Sequence, residues 1–182
     1  WPTVADILAQ VEGHLAEDEA RLLYDQASGD VIEIGSFRGR STCVLAAGVK
    51  AHGGRVYAID PHPDYVDGGG VGVFSHADAG HLLRNIVSMG LEDHVRIINL
   101  YSEQVAQIWR QPVDFVFVDG FHSEGAARHD VIQWGARVKP GGRMAVHDRL
   151  MPQVARVIGE ALADGWVEVA QVDNTVCMEK RA

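Results

Sequence analysis

The sequence predicts an α/β domain built on a doubly wound, mostly parallel sheet with helices on both faces, and three observations carry that prediction. Short β-branched runs alternate with longer amphipathic segments, as stacked βαβ units require. The first of these runs ends in the turn Gly35-Ser36-Phe37-Arg38-Gly39 and passes straight into a helical segment. Gly53, Gly90 and Gly165 each stand where a left-handed residue closes a helix. A chain of 182 residues with 47% apolar content suits one domain over 1–182 with a sizeable core.

An N-terminal helical segment is expected over 1–28, with its helix at 17–27. A strand at 30–34, Asp-Val-Ile-Glu-Ile, feeds a helix at 39–52 and then a strand at 55–60. The stretch 61–73 is rich in proline and glycine and cannot hold a rigid element, which marks it as a lid loop. Next comes a helix at 75–89, where Leu82, Leu83, Ile86 and Val87 recur at helical spacing, then a strand at 94–98 and a helix at 102–110. Strands at 113–118 and 142–147 flank a helix at 123–138, and Pro152 opens a helix at 152–163. The runs 166–170 and 175–179 bracket Asp173-Asn174 as a terminal hairpin, which brings the sheet to seven strands. Several of these strands are apolar on both faces, as buried parallel strands are.

Sixteen basic residues against 25 acidic ones leave a net charge of −9, which disfavours binding to nucleic-acid phosphates. A small-molecule partner fits better. No run approaches the length of a membrane span and the first residues show no signal pattern, so a soluble, cytoplasmic protein without membrane partners is expected. The chain opens at Trp1 rather than Met, so a few native residues are expected before it. Cys43 and Cys177 are far apart in the chain and read as small apolar core residues. A homo-oligomer is compatible with the pattern.

In open parallel sheets ligands sit beyond the carboxyl ends of the strands, where strand order reverses. Gly35 and Gly39 let backbone approach a ligand there, and the following helix N-terminus offers free N–H groups. The spacing is Gly-x-x-x-Gly with Phe37 in place of a middle glycine, which suits a dinucleotide pyrophosphate poorly. Asp60 ends the second strand about 20 residues beyond the first glycine, where a carboxylate accepts hydrogen bonds from ribose hydroxyls. Glu33 lies inside an apolar strand, so its carboxylate is expected to be recruited to a cation or to hydrogen-bond donors.

The segment Glu33-Ile34-Gly35-Ser36-Phe37-Arg38-Gly39-Arg40-Ser41-Thr42, with Asp60, Phe117-Val118-Asp119-Gly120-Phe121-His122-Ser123-Glu124-Gly125, Lys139-Pro140-Gly141-Gly142 and Val146-His147-Asp148, resembles class I S-adenosylmethionine-dependent methyltransferases. Within them it is most similar to the small-molecule branch grouped with macrocin-type sugar O-methyltransferases and cephalosporin-hydroxylase-like proteins, over about residues 17 to 179. The resemblance implies a Rossmann-like, seven-stranded sheet whose last strand is antiparallel. It implies that Glu33, Gly35, Ser36 and Gly39 hold the methionine part of S-adenosylmethionine, that Asp60 takes the ribose and that Ser102 approaches the adenine. For Ser102, helix capping is the competing role.

Asp119 and the pair His147-Asp148 end neighbouring strands, so they can converge where the cofactor's methyl points. Such donors can hold Mg²⁺ or another divalent ion, although an imidazole suits Zn, Mn or Fe better than Mg. Otherwise Asp119 orients the cofactor and Asp148 caps the next helix. His122 is the candidate general base beside Asp119, with a pKa near 6 to 7 expected, and His62 could reach the same mouth. His129 and Asp130 read as helix support. The function these readings favour is methyl transfer to a hydroxyl of a sugar, glycoside or phenol-like molecule. The alternatives are a non-catalytic cofactor-binding module and a nicotinamide-dependent oxidoreductase.

Overall fold

A computed structural model describes residues 2–66 and 73–181. Its first two helices, α1 (Val4–Gln10) and α2 (Glu17–Gln26), precede strand β1 (Gly29–Ile34) and helix α3 (Arg40–His52). Strand β2 (Gly54–Ile59) follows, then the two-residue strands β3 (Tyr65–Val66) and β4 (Val73–Phe74), which pair antiparallel. Helix α4 (Ala77–Ser88), β5 (Val95–Ile98), α5 (Ser102–Ile108), β6 (Val113–Val118) and α6 (Glu124–Gly135) complete the middle of the chain. It closes with β7 (Val138–Val146), α7 (Pro152–Ala163), β8 (Trp166–Val172) and β9 (Thr175–Lys180).

Among the described residues these strands form a seven-stranded sheet in the order β5-β2-β1-β6-β7-β9-β8. The pairs β1–β2, β2–β5, β1–β6 and β6–β7 are parallel, whereas β9 runs antiparallel to both β7 and β8. The chain winds outward from β1 to β5 and returns to β6, so strand order reverses between β1 and β6. One layer of apolar side chains, including Leu23, Val44, Leu45 and Leu82, fills the face under α1 to α4. The other, including Val116, Trp134, Met144 and Val157, lies under α5 to α7. Both cysteines are buried in the first layer.

The differences from the expected elements have local causes. Helix α1 is added, begun by a reciprocal cap in which Thr3 Oγ1 accepts from Asp6 N–H while the Asp6 carboxylate accepts from Thr3 N–H. Helix α6 ends at Gly135 rather than 138, and β7 begins at Val138 rather than 142. The glycine pair read as the strand's entry lies inside it: the pairing shifts between Val113↔Val138 and Phe115↔Arg143, and Gly141 takes φ 75 in the bulge. Residues 67–72, the middle of the expected lid, lie outside the described residues. Among the described residues no helix is long and apolar enough to cross a membrane.

Candidate functional site

The turn after β1 sits at the reversal point and is built from below. Glu33 is fully buried, and its carboxylate accepts hydrogen bonds from Ser36 Oγ at 2.9 Å, Ser41 Oγ at 2.6 Å and Thr42 Oγ1 at 2.5 Å. Burial pushes its carboxyl up to about 7, against the pull of those three hydroxyls. Glu33 therefore pins the turn to the start of α3 and does not face open space. Gly35 is required by close approach: at φ 87, a Cβ there would fall 2.1 Å from the backbone oxygen of Asp119. Gly39 takes φ 92 as the N-cap of α3, and Phe37, in the place of a middle glycine, itself adopts φ 45. That conformation is held because Phe37 N–H donates to Asp60 and its ring packs edge-on to Phe74, with centroids 5.1 Å apart.

Asp60 faces the same turn. Its Oδ2 accepts from the N–H groups of Ser36 and Phe37, both at 2.9 Å, and its Oδ1 accepts from His62 N–H at 2.8 Å. A carboxylate offers about four acceptor sites, which leaves room for one further donor. His62 does not reach the mouth of the site: it is buried, with Nε2 3.0 Å from the Phe37 carbonyl and Nδ1 3.1 Å from the Asn99 side-chain amide. It braces the turn from the side.

At the ends of β6 and β7 four side chains converge. His147 Nδ1 lies 3.1 Å from Asp119 Oδ1 and 3.2 Å from Asp148 Oδ2, while His122 Nε2 lies 2.6 Å from Asp148 Oδ2 and 3.9 Å from Asp119 Oδ1. Neither ring nitrogen is aligned for a hydrogen bond to a carboxylate, although both are buried atoms. The carboxylates of Asp119 and Asp148 push His122 up to about 9. Burial opposes a charge on His147, but Asp119, Asp148 and Glu19 push it up to about 12. Burial also opposes ionisation of Asp148, and the two rings outweigh it, holding the carboxyl well below the usual range. The sequence-based expectation of a pKa near 6 to 7 for His122 is corrected by this neighbourhood.

Two residues of this site were not singled out in the sequence. Glu19, in the first turn of α2, is 2% exposed. Its Oε2 accepts from Ala16 N–H at 3.0 Å, and its Oε1 accepts from Asn174 N–H at 3.0 Å and Thr175 Oγ1 at 2.8 Å. The same Oε1 lies 3.5 Å from His147 Nε2. Asn174, at the tip of the β8–β9 hairpin, donates from Nδ2 to Asp148 Oδ1 at 2.7 Å. Asp148 takes φ 57, and this clamp helps hold it there. It does not cap α7, whose N-cap is Met151. A glutamate three residues into a helix reads as a cap in the sequence, and only the fold turns its second oxygen inward.

Ser102 opens α5 behind the N-cap residue Tyr101, and its hydroxyl donates to Asp130 Oδ1 at 2.5 Å. Asp130 is buried, not a surface support of α6.

A family model described as a methyltransferase domain matches residues 32–149, from β1 to the loop that carries His147 and Asp148. Solved structures share the fold. The O-methyltransferase from Bacillus cereus in complex with S-adenosylhomocysteine has a TM-score of 0.70 at 19% identity, covering 97% of this chain and 90% of that one. A SAM-dependent O-methyltransferase from Thermotoga maritima has a TM-score of 0.71 at 16% identity, covering 100% and 72%. An rRNA methylase from Streptococcus thermophilus has a TM-score of 0.65 at 15% identity, covering 93% and 98%.

Proposed function

Because the chain belongs to the methyltransferase-domain family, we propose that it transfers a methyl group from S-adenosylmethionine to a hydroxyl of a small sugar, glycoside or phenol-like acceptor. The observation that carries this reading is the abutment of two half-sites at Asp119. Its backbone oxygen closes on Gly35 of the turn expected to hold the cofactor, and its side chain faces His147 and His122. The net charge of −9 supports a small acceptor over RNA, the substrate that the Streptococcus relative's name gives for that protein.

In this reading Gly35, Ser36 and Gly39 present backbone to the methionine portion, with Glu33 holding the turn beneath them. Asp60 accepts a ribose hydroxyl at its remaining site, and Ser102 lies toward the adenine. The sulfonium brings its own reactive methyl, so the chain contributes alignment and an acceptor for the proton. As the acceptor oxygen bonds to the methyl carbon, the carbon–sulfur bond of the methyl donor breaks to leave S-adenosylhomocysteine, and the hydroxyl proton passes to His122 Nδ1, the ring nitrogen that does not face Asp148. Asp148 and Asp119 stabilise the imidazolium that results.

A second reading is favoured by the two imidazole nitrogens that face the carboxylates without aligned hydrogen bonds. Asp119, His147 and Asp148, joined by His122, would hold a divalent ion, and three of them, Asp119, His122 and Asp148, bring ligand atoms within 4.8 Å of one another. The donor chemistry fits Zn, Mn or Fe and not Mg²⁺, because two of the four donors are imidazoles. Such an ion, when bound, lowers the pKa of an acceptor hydroxyl.

Calorimetry with S-adenosylhomocysteine tests the cofactor half of the proposal. Binding is expected in the micromolar range, and Asp60→Ala should weaken it by about 1.5 to 3 kcal/mol through loss of charge-assisted bonds. Unchanged affinity in that variant, or tighter binding of NAD, would defeat it. A chelator separates the two ways of removing the proton: turnover that survives leaves His122 as the base, and turnover lost to chelation and restored by one transition metal assigns the cluster to an ion.

A further inference from the structure

Two residues other than glycine take the left-handed conformation at or beside the glycine turn, Phe37 at φ 45 and His62 at φ 47. For a bulky phenylalanine that backbone is costly, so the surrounding contacts must hold it. His62 supplies several of them. It is 3% exposed, and its Nε2 lies 3.0 Å from the Phe37 carbonyl oxygen. Its own N–H closes a turn onto Asp60 Oδ1 at 2.8 Å, while Asp60 Oδ2 accepts from Phe37 N–H. Phe37 is therefore tied at its N–H through Asp60 and at its carbonyl through the His62 ring.

A third strand end decides which ring nitrogen carries the hydrogen. Asn99 follows β5 directly, and its side-chain nitrogen lies 3.1 Å from His62 Nδ1, 2.6 Å from the Asp60 carbonyl oxygen and 3.2 Å from the Pro61 carbonyl oxygen. Carbonyl oxygens can only accept, so this amide turns its N–H groups toward them and toward Nδ1. Nδ1 then accepts, and Nε2 carries the hydrogen that goes to Phe37. In the other tautomer Nδ1–H would meet the Asn99 N–H groups and a bare Nε2 would meet the Phe37 carbonyl, two buried mismatches. The ends of β5, β2 and β1 are thus joined in one relay from Asn99 through His62 to Phe37.

We propose that His62 is a positioning residue for the cofactor: held as the Nε2–H tautomer by Asn99, its ring fixes the glycine turn against Asp60. The groups assigned to the aminoacyl end and to the ribose then keep one spacing before ligand arrives. The ring is turned away from the mouth of the site, so its effect passes through Phe37 and Asp60. This rests on the cofactor reading given under Proposed function.

Two amides at position 62 test the proposal. An asparagine amide reaches about as far as Nδ1 of the ring, and a glutamine amide about as far as Nε2. Asparagine suits a left-handed backbone at least as well as histidine and glutamine suits it less, so backbone strain alone predicts the opposite order of effects. In calorimetry His62→Asn should bind S-adenosylhomocysteine about 10-fold or more weakly, because the Phe37 carbonyl loses its donor, and His62→Gln should stay within about 3-fold of wild type. Ring-nitrogen NMR, with the His62 signal identified by its absence from the glutamine variant, should show hydrogen on Nε2 alone in the wild-type protein and a mixture of tautomers in Asn99→Leu. A wild-type ring carrying hydrogen on Nδ1 overturns the proposal with no variant needed. So does an asparagine variant that binds as tightly as wild type, or a glutamine variant that binds as weakly as the asparagine one. Absence of S-adenosylhomocysteine binding by the wild-type protein would instead remove the cofactor reading itself, and this inference with it.

Discussion

Alanine in place of His122 is expected to lower kcat by about 10² to 10⁴ while leaving affinity for S-adenosylhomocysteine unchanged, because in the proposed mechanism this ring accepts the proton and stands apart from the turn that holds the cofactor. The pH dependence sharpens that result. With His122 raised to about 9 by Asp119 and Asp148, the ring holds a proton at neutral pH, and the basic form grows as pH rises. The rate should therefore climb about tenfold per pH unit and level off near 9. Stability runs the other way. A histidine raised above its unfolded value of 6.5 contributes stability fully below 6.5, and that contribution is lost as pH rises through 9. Initial rates from pH 6 to 10 on a competent acceptor, with chemical denaturation across the same range, test both slopes. A rate profile that is flat above pH 7, or full activity in the alanine variant, removes His122 as the base. If an ion occupies the cluster it displaces the proton, and the rising limb moves to lower pH.

The second large effect is structural. Glu19→Ala removes a buried carboxylate that accepts from Ala16, Asn174 and Thr175 and faces His147. Leaving those donors and the His147 ring unpaired should cost about 3 to 5 kcal/mol, and at about 2 to 4 °C per kcal/mol the melting temperature should fall by roughly 6 to 20 °C. Glu19→Gln keeps an acceptor for the hairpin N–H and removes only the charge, so it should cost less than half as much. The pH window follows from the shifts. The contacts with His147, Ala16 and Thr175 outweigh burial and lower the Glu19 carboxyl, so its contribution is present above about 4.5 and lost as pH falls through its folded value. Thermal melts of the three proteins at neutral pH and at pH 4 decide the matter: a fall of under 1 kcal/mol in the alanine variant would show that Glu19 is replaceable by water.

Patterns within short windows are enough to read the α/β class, the order of the larger helices and strands, the glycine turn, and the strand-end positions of Asp60, Asp119, His147 and Asp148. Periodicity and helix-closing glycines are local signals, and a parallel sheet puts every strand end on one edge, so the site's address follows from the elements themselves. The roles of individual side chains do not follow in the same way. His62 and Asp60 are two residues apart, yet one turns inward to the Phe37 carbonyl while the other keeps an acceptor site open. Asp130 reads as a surface residue until α5 closes over it through Ser102.

Glu19 and Asn174 show the limit most plainly. They lie 155 positions apart and meet at Glu19 Oε1, where α2 and the tip of the terminal hairpin close on the end of β7. Nothing within a helical turn of either residue marks that meeting, because it depends on how far β9 runs alongside β7 and on the side of the sheet against which α2 packs. Local pattern is sufficient for the fold class and for placing Asp60, Asp119, His147 and Asp148 at the strand ends of the candidate site. Which of them face one another, and which, like Glu33 and His62, brace the turn from within, follows from tertiary packing alone. The physical reason is range: propensity and periodicity act over a few residues, whereas burial, charge pairing and hydrogen-bond partners are set by segments that the chain brings together only when it folds.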